Sequence, residues 1–419
     1  MHCPQLHATN REESLQSRSY CVSVLKPLIW GFLRVRMHEK SEIERPVQRY
    51  YELDSLRGLA ALTIVFHHFR SMWGGAVQAR WLNVFSPFTA GREAVMLFFL
   101  LSGFVLATPY LRGKGRRYWV YLRRRVVRIY GPYLFALTLA IAAAAHWHGA
   151  LGYNAWADLT WSDPVSLRIV LDHLGMVANY DWAQINTAFW SLVIEMRISI
   201  VFPLLLLGTR RLRPAASLGL AATLLLGASL ATRWLPGYAQ SLETISFASI
   251  FICGIVLAMH VDETASWFQR LGQPFRGALA LASAGLYLFG HHAEQLAGWK
   301  LGGDIACETA GAAGIMIFAM HARTVRDLLH RPAAKLLGRL SFSLYLVHGT
   351  VLFALAHGLG TRIPIAAHFV LYMVGSLLAA WLFCLWVEEP FLRLSSYILE
   401  PGERRRRKSV PALSRLDAA

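Results

Sequence analysis

Apolar residues along this chain gather into runs of roughly 20, the length a helix needs to cross about 30 Å of hydrocarbon. Basic or Gly- and Pro-containing connectors separate the runs. The pattern predicts helices near residues 56–75, 91–111, 129–148, 187–207, 215–234, 241–260, 277–293, 304–321, 340–358 and 365–387. An all-α integral membrane protein, a polytopic bundle of about ten transmembrane helices, is the expected fold. Residues 1–50 read as a cytoplasmic or membrane-surface segment, 51–394 as the transmembrane domain and 395–419 as a basic cytoplasmic tail. Tyr20 to Val35 is apolar but broken by Lys26 and Arg34, too short to span and poor as a signal peptide. Met37 is an alternative start.

Composition agrees: 55% of the 419 residues are hydrophobic and 16% charged, more apolar and less charged than a soluble domain. The net charge of +17 raises the question of nucleic acid. Its placement in short connectors and at the two ends answers it, because positive-inside topology and anionic headgroups put Lys and Arg there. The bilayer, and not nucleic acid, is the expected partner. Cys3, Cys21, Cys253, Cys307 and Cys384 lack CxxC spacing, and three lie in apolar runs. They read as packing residues, with no disulfide framework or metal site.

One set of connectors holds Arg112, Lys114, Arg116, Arg117, Arg123, Arg124, Arg125 and Arg128, then Arg210, Arg211 and Arg213, then Arg323, Arg326, Arg331 and Lys335. Those face the cytoplasm, and both termini follow them. The opposite connectors carry little beyond Arg80, Arg92, Arg168, Arg233, Lys300 and Arg362. Their longest, Gly149 to Asn186, combines four Asp with Trp156, Trp161 and Trp182, which suits either a sugar-facing vestibule or an interfacial aromatic belt.

Ionisable residues at membrane depth are expensive and point to function. In LDSLRGLAALTIVFHHFR, Arg57 and His68 stand eleven residues apart, about three turns, so they share one face some 16 Å apart along the axis. His67 points elsewhere. A desolvated His68 imidazole is neutral and able to accept a proton, the position of a general base; the plainer reading is a hydrogen bond between helices. Arg125 and Arg128, at i,i+3 just before a predicted helix, can grip phosphates, whereas Arg123 and Arg124 fit the positive-inside signal. Glu195 and Arg197, at i,i+2, cannot neutralise each other; Glu195 either pairs with an arginine, orients a base or forms a structural ion pair. Ser341, Ser343, Tyr345 and His348 form a polar set that lines a pathway or bonds helices together.

Together these segments resemble the membrane-bound acyltransferase 3 family, from about Leu53 to Leu394. Arg57 and His68 match its Arg-x10-His spacing, and Phe98 to Leu106 (FFLLSGFVL) its second-helix signature. Arg125 and Arg128 match its RxxR element, Trp190-Ser191-Leu192 with Glu195 its WSLxxE, and SFSLYLVH and VEEPFLRL follow in place. Departures are Ser55 for a usual Gly, Met96 for a frequent Asp, Gly131 before a proline normally one position earlier, and Met-Arg after Glu195. The resemblance implies transfer of an acyl group, acetyl foremost, from acyl-CoA to a hydroxyl of a cell-surface glycan or lipid-linked sugar in a bacterial cytoplasmic membrane. It implies His68 as base or acyl carrier, with Glu195 stabilising the imidazolium or a nearby arginine. Arg57, Arg125 and Arg128 would hold the donor phosphates, and Trp190, Ser191, Tyr345 and His348 would contact substrate. No metal and no tightly bound cofactor is called for, and the chain as read has no room for the C-terminal esterase-like domain of some members. The alternative is a glycan or lipid transporter, but no internal repeat with broken helices is visible and transport leaves the Arg57–His68 register without a use.

Overall fold

The structure, a computed structural model, describes residues 50–73, 89–292, 295 and 302–398. The expectations for residues 20–35, Met37, Arg80, Lys300 and most of the tail lie outside the described residues. Among these, α-helices dominate and no strand occurs. They are α1 (Tyr51–Trp73), α2 (Gly91–Leu111), α3 (Tyr118–His146), α4 (Leu167–Leu174), α5 (Phe189–Arg211), α6 (Pro214–Trp234) and α7 (Ala239–Met259). After these come α8 (Val261–Arg270), α9 (Gln273–Phe289), α10 (Gly303–His321), α11 (Arg323–Leu329), α12 (Pro332–Leu359), α13 (Ile365–Phe383) and α14 (Glu389–Ser396).

Ten of these match the ten apolar runs. Eight are long and apolar enough to cross a membrane. The other two are α1, whose 23 residues include Glu52, Asp54, Arg57 and Arg70, and α9, with 17 residues. Large apolar side chains on their outer faces, among them Trp234, Phe275, Leu281, Leu204 and Trp386, are exposed, as lipid contact requires and water would not favour.

Two expectations are corrected. The third helix begins at Tyr118, eleven residues before position 129, so Arg125 and Arg128 lie within its second and third turns and not ahead of it. Arginine is a good helix former, and at 29 residues α3 is about 43 Å long, well beyond the hydrocarbon thickness. The long connector from Gly149 carries α4 and two 3₁₀ turns. Finally, the last apolar run does not stay α-helical to its end: α13 passes into a π-turn at Cys384–Glu388 before α14.

Helices α1, α2, α5, α7, α10 and α12 surround the core, with α1 laid along α12 and α2 along α7. Small residues permit this. A Cβ on Gly58 would stand 2.5 Å from the Gly338 nitrogen, and one on Gly338 would stand 2.5 Å from the Asp54 carbonyl oxygen. Gly103 and Gly254 do the same between α2 and α7. Lipid offers no hydrophobic drive for helix association, so close backbone approach and its dispersion energy hold such pairs. The departures are structural too: Ser55 Oγ donates to the Leu329 carbonyl (2.7 Å), and a Cβ on Gly131 would strike the Phe391 ring. Gly338→Leu is expected to cost about 1–3 kcal/mol, read as a lower melting temperature of the detergent-solubilised protein. Gly227→Leu, at a site open to lipid, should melt as the parent does, and equal melting of both variants would contradict this packing account.

Candidate active site

Because α1 and α12 pack so closely, two histidines meet between them. His68 Nδ1 lies 3.1 Å from His348 Nε2, and both side chains are buried, at 8% and 0% exposure. The other nitrogen of His348, Nδ1, lies 2.9 Å from the Leu344 carbonyl oxygen. A carbonyl only accepts, so His348 Nδ1 carries the proton and its Nε2 carries a lone pair. That lone pair must accept from His68 Nδ1–H. His68 Nε2 is thereby left as the unprotonated nitrogen of a neutral imidazole. One backbone carbonyl thus sets the tautomer of both rings.

Neighbouring groups close the pair in. Trp156, in the connector after α3, lies against His68 with ring centroids 5.4 Å apart. Asn154 anchors that connector by donating from Nδ2 to the carbonyls of Ser71 (3.1 Å) and Met72 (3.0 Å) at the end of α1. His67 turns away, as its position one residue earlier predicts: its Nδ1 is 2.8 Å from the Thr89 carbonyl. Arg57 shares the continuous α1 helix with His68.

The structure brings the three predicted arginines together. Arg128 lies in the electrostatic field of Arg125 and Arg57, with Glu388 and Glu195 opposing them. Arg125 pairs with Glu195 and donates from Nε to Ser199 Oγ (3.1 Å), while Ser102 Oγ donates to Glu195 Oε1 (3.1 Å). Arg57 lies 4.0 Å from Asp54. Arg128 differs: among the described residues it makes no hydrogen bond or ion pair. Arg128 is exposed with Arg57, Arg125, Glu195 and Glu388 around it, so it lines a cleft. An unpaired guanidinium in such a place is ready for an anion.

Other predicted residues fall elsewhere. Glu195 pairs with the arginine side and makes no hydrogen bond to His68 or His348. Arg197 takes its own partners, as the i,i+2 spacing demands: it donates to the carbonyls of Val177 (2.9 Å) and Ala178 (2.5 Å) and to Asn179 Oδ1 (2.8 Å). Tyr345 donates to the Ala188 carbonyl (2.7 Å) and so accepts from Ser191 Oγ (2.5 Å). That latch ties α5 to α12 and occupies both hydroxyls with each other. Trp190 packs between Phe99 and Phe247.

Residues not singled out from the sequence also belong here. Glu388, in the π-turn, accepts from Ser343 Oγ (2.5 Å) and lies near Arg128. Its place as an acid within an apolar run was the available signal. Trp156 had only its membership of an aromatic-rich connector. Ser102 and Ser199 had none.

Comparison with known proteins follows the same lines. The chain is 24% identical over 393 residues to an O-acetyltransferase of Phomopsis amygdali, covering 79% of this chain and 78% of that protein. It is 28% identical over 331 residues to an acyltransferase of Streptomyces mycarofaciens, covering 73% and 80%. A stretch of 106 residues is 35% identical to protein 2 of the picA locus of Rhizobium radiobacter, covering 24% and 48%. No solved structure matches. The profile of the acyltransferase domain matches residues 50–385, most of the chain and every helix that builds the site, and the protein therefore belongs to the acyltransferase 3 family of multi-pass membrane enzymes.

Proposed function

We propose that this acyltransferase moves an acyl group, acetyl foremost, from acyl-CoA to a hydroxyl of a carbohydrate or lipid-linked glycan, with His68 as general base. The observation that carries the reading is the imidazole pair, whose tautomers leave a lone pair on His68 Nε2. That nitrogen takes the proton of the acceptor O–H as the oxygen attacks the thioester carbonyl. The C–S bond breaks, and the imidazolium returns the proton to the departing thiolate, releasing CoA and the ester. His348 accepts from His68 Nδ1–H throughout and stabilises the transient imidazolium; it is a positioning residue. Proton transfer of this kind contributes about 10² to 10⁴ in rate.

Arg128, with Arg57 and Arg125, holds the donor phosphates, and Glu195 fixes Arg125 through their ion pair. The axial rise from Arg57 to His68, about 16 Å, is of the order of an extended pantetheine arm. The acceptor enters from the side of the Gly149 connector, where the Trp156 ring offers a face for a sugar. Ser191, Tyr345 and Trp190 hold α5 in place around the site. The positive-inside rule, applied to the basic connectors, supports a cytoplasmic arginine end and cytoplasmic termini, and the membrane in this reading is the cytoplasmic membrane of a bacterium.

Acyl transfer from radiolabelled acetyl-CoA in membranes tests the chemistry. His68→Ala should lose at least about 100-fold in rate, while His67→Gln retains activity. His348→Ala should lower kcat with little change in KM for the donor, and His348→Gln, whose carbonyl oxygen can still accept from His68 Nδ1–H, should recover part of it. Normal transfer by an equally folded His68→Ala would end the proposal.

Donor binding is tested separately. Arg128 makes no structural pair, so Arg128→Ala should fold normally and raise KM for acyl-CoA by roughly 10- to 100-fold, the worth of a charge-assisted hydrogen bond. Arg128→Lys should fall between. An unchanged KM would place the phosphates elsewhere.

A further inference from the structure

Just ahead of α5, a buried donor is left without a partner. Asn186 is 1% exposed. Its Oδ1 accepts from the Ala188 N–H (3.0 Å). An N–H only donates, so the atom facing it is the oxygen, and the amide nitrogen points the other way. That nitrogen, Nδ2, is buried and makes no hydrogen bond among the described residues. Thr187 Oγ1, on the next side chain, is buried and unpartnered there as well. Buried polar groups are with few exceptions hydrogen-bonded, so two such donors in succession call for a reason.

Their position is beside the histidine pair. Tyr345 and Gly349, four residues apart, stack on one face of α12, and His348 immediately precedes the glycine. Tyr345 takes the start of α5 by donating to the Ala188 carbonyl (2.7 Å), and its ring centroid is 5.8 Å from that of His348. Gly349 takes the Asn186 amide: a Cβ there would lie 2.6 Å from Oδ1 and 3.1 Å from Nδ2. Glycine alone permits that approach. The backbone carrying Asn186 is held from the other side by buried Trp161, which donates from Nε1 to the Ile185 carbonyl (2.9 Å) and from its N–H to the Gln184 carbonyl (3.1 Å). Trp161 does so in the left-handed conformation, at φ 61°, which a bulky residue keeps only where its surroundings impose it. The amide is therefore fixed before any substrate arrives.

We propose that Asn186 Nδ2 donates to the carbonyl oxygen of the bound thioester and stabilises the negative charge that develops on it. The assignment rests on acyl transfer at His68. As the acceptor oxygen attacks the carbonyl carbon and His68 Nε2 takes its proton, the carbonyl π pair moves onto the carbonyl oxygen. When the C–S bond breaks, that pair returns to the carbonyl and the thiolate takes the proton from the imidazolium. A donor fixed beforehand stabilises the transient charge without reorganising. The N-terminal end of α5, the positive end of its dipole, lies at the same place and adds to the effect. Asn186 is thus a catalytic residue as well as the cap on Ala188.

Two analogues of acetyl-CoA separate this role from donor binding and from folding. S-acetonyl-CoA carries a plain ketone and resembles the ground state, whereas the trifluoromethyl ketone analogue hydrates to a tetrahedral centre resembling the charged intermediate. Affinity for each is measured with the full-length protein in nanodiscs, beside transfer from radiolabelled acetyl-CoA in membranes. The variant is Asn186→Ser, whose hydroxyl can still accept from the Ala188 N–H but reaches less far than Nδ2. It should lose about 10²- to 10³-fold in kcat, the usual worth of one such donor, with KM for acetyl-CoA little changed. Its affinity for the trifluoromethyl ketone should fall by roughly 100-fold while S-acetonyl-CoA binds as it does to the parent. The ratio of the two affinities does not depend on the fraction of protein folded, so it decides the matter even in a variant that melts early. Parent kcat in Asn186→Ser overturns the proposal, as does an equal loss of affinity for both analogues or a loss confined to KM. A parent that binds neither analogue overturns the acyl-CoA reading and this assignment with it. A variant that prefers the trifluoromethyl ketone as strongly as the parent overturns the role of Asn186 alone.

Discussion

The site depends on one hydrogen-bonded relay, from the Leu344 carbonyl through His348 to His68. A neutral imidazole has two tautomers, and only one leaves the lone pair on the nitrogen away from its partner. Here the choice is made by a backbone carbonyl, which cannot donate. The relay in turn needs α1 and α12 in near contact, and the glycine crossing of Gly58 and Gly338 supplies it. Packing and proton chemistry are therefore one constraint: a wider crossing would part the imidazoles before it unfolded the bundle.

A second theme is the treatment of charge inside an apolar bundle. Each ionised group costs several kcal/mol unless paired or hydrogen-bonded, and most here are. Glu195 has Arg125 and Ser102, Arg197 has a set of carbonyls from the connector before α5, and Glu388 has Ser343. Against that background one exception stands out. Among the described residues, Arg128 keeps a positive charge without a pair. It faces a cleft beside the histidine helix.

Much of this could be read along the chain because it is local. Ten apolar runs at bilayer length gave ten helices, and the eleven-residue register of Arg57 and His68 survived as one helix. Opposite directions for Glu195 and Arg197, and for His67 and His68, followed from helical geometry alone. Family membership, already visible in five motifs in order, decides for acyl transfer over transport. What could not be read is what packing brings together. His348 is 280 positions from His68, and Glu195 is 70 from Arg125; no spacing rule links them. The helical start of α3 was missed because a run of arginines resembles a connector, although arginine favours helix.

The most direct test of the central claim is a structure of the protein with a non-hydrolysable acyl-CoA analogue, determined by electron cryomicroscopy in lipid nanodiscs. The account predicts donor phosphates within hydrogen-bonding distance of Arg128 together with Arg57 or Arg125, and the acyl carbonyl carbon beside His68 Nε2 while His348 still holds Nδ1. A nucleotide bound away from the arginines, or an acyl group remote from His68, would contradict it.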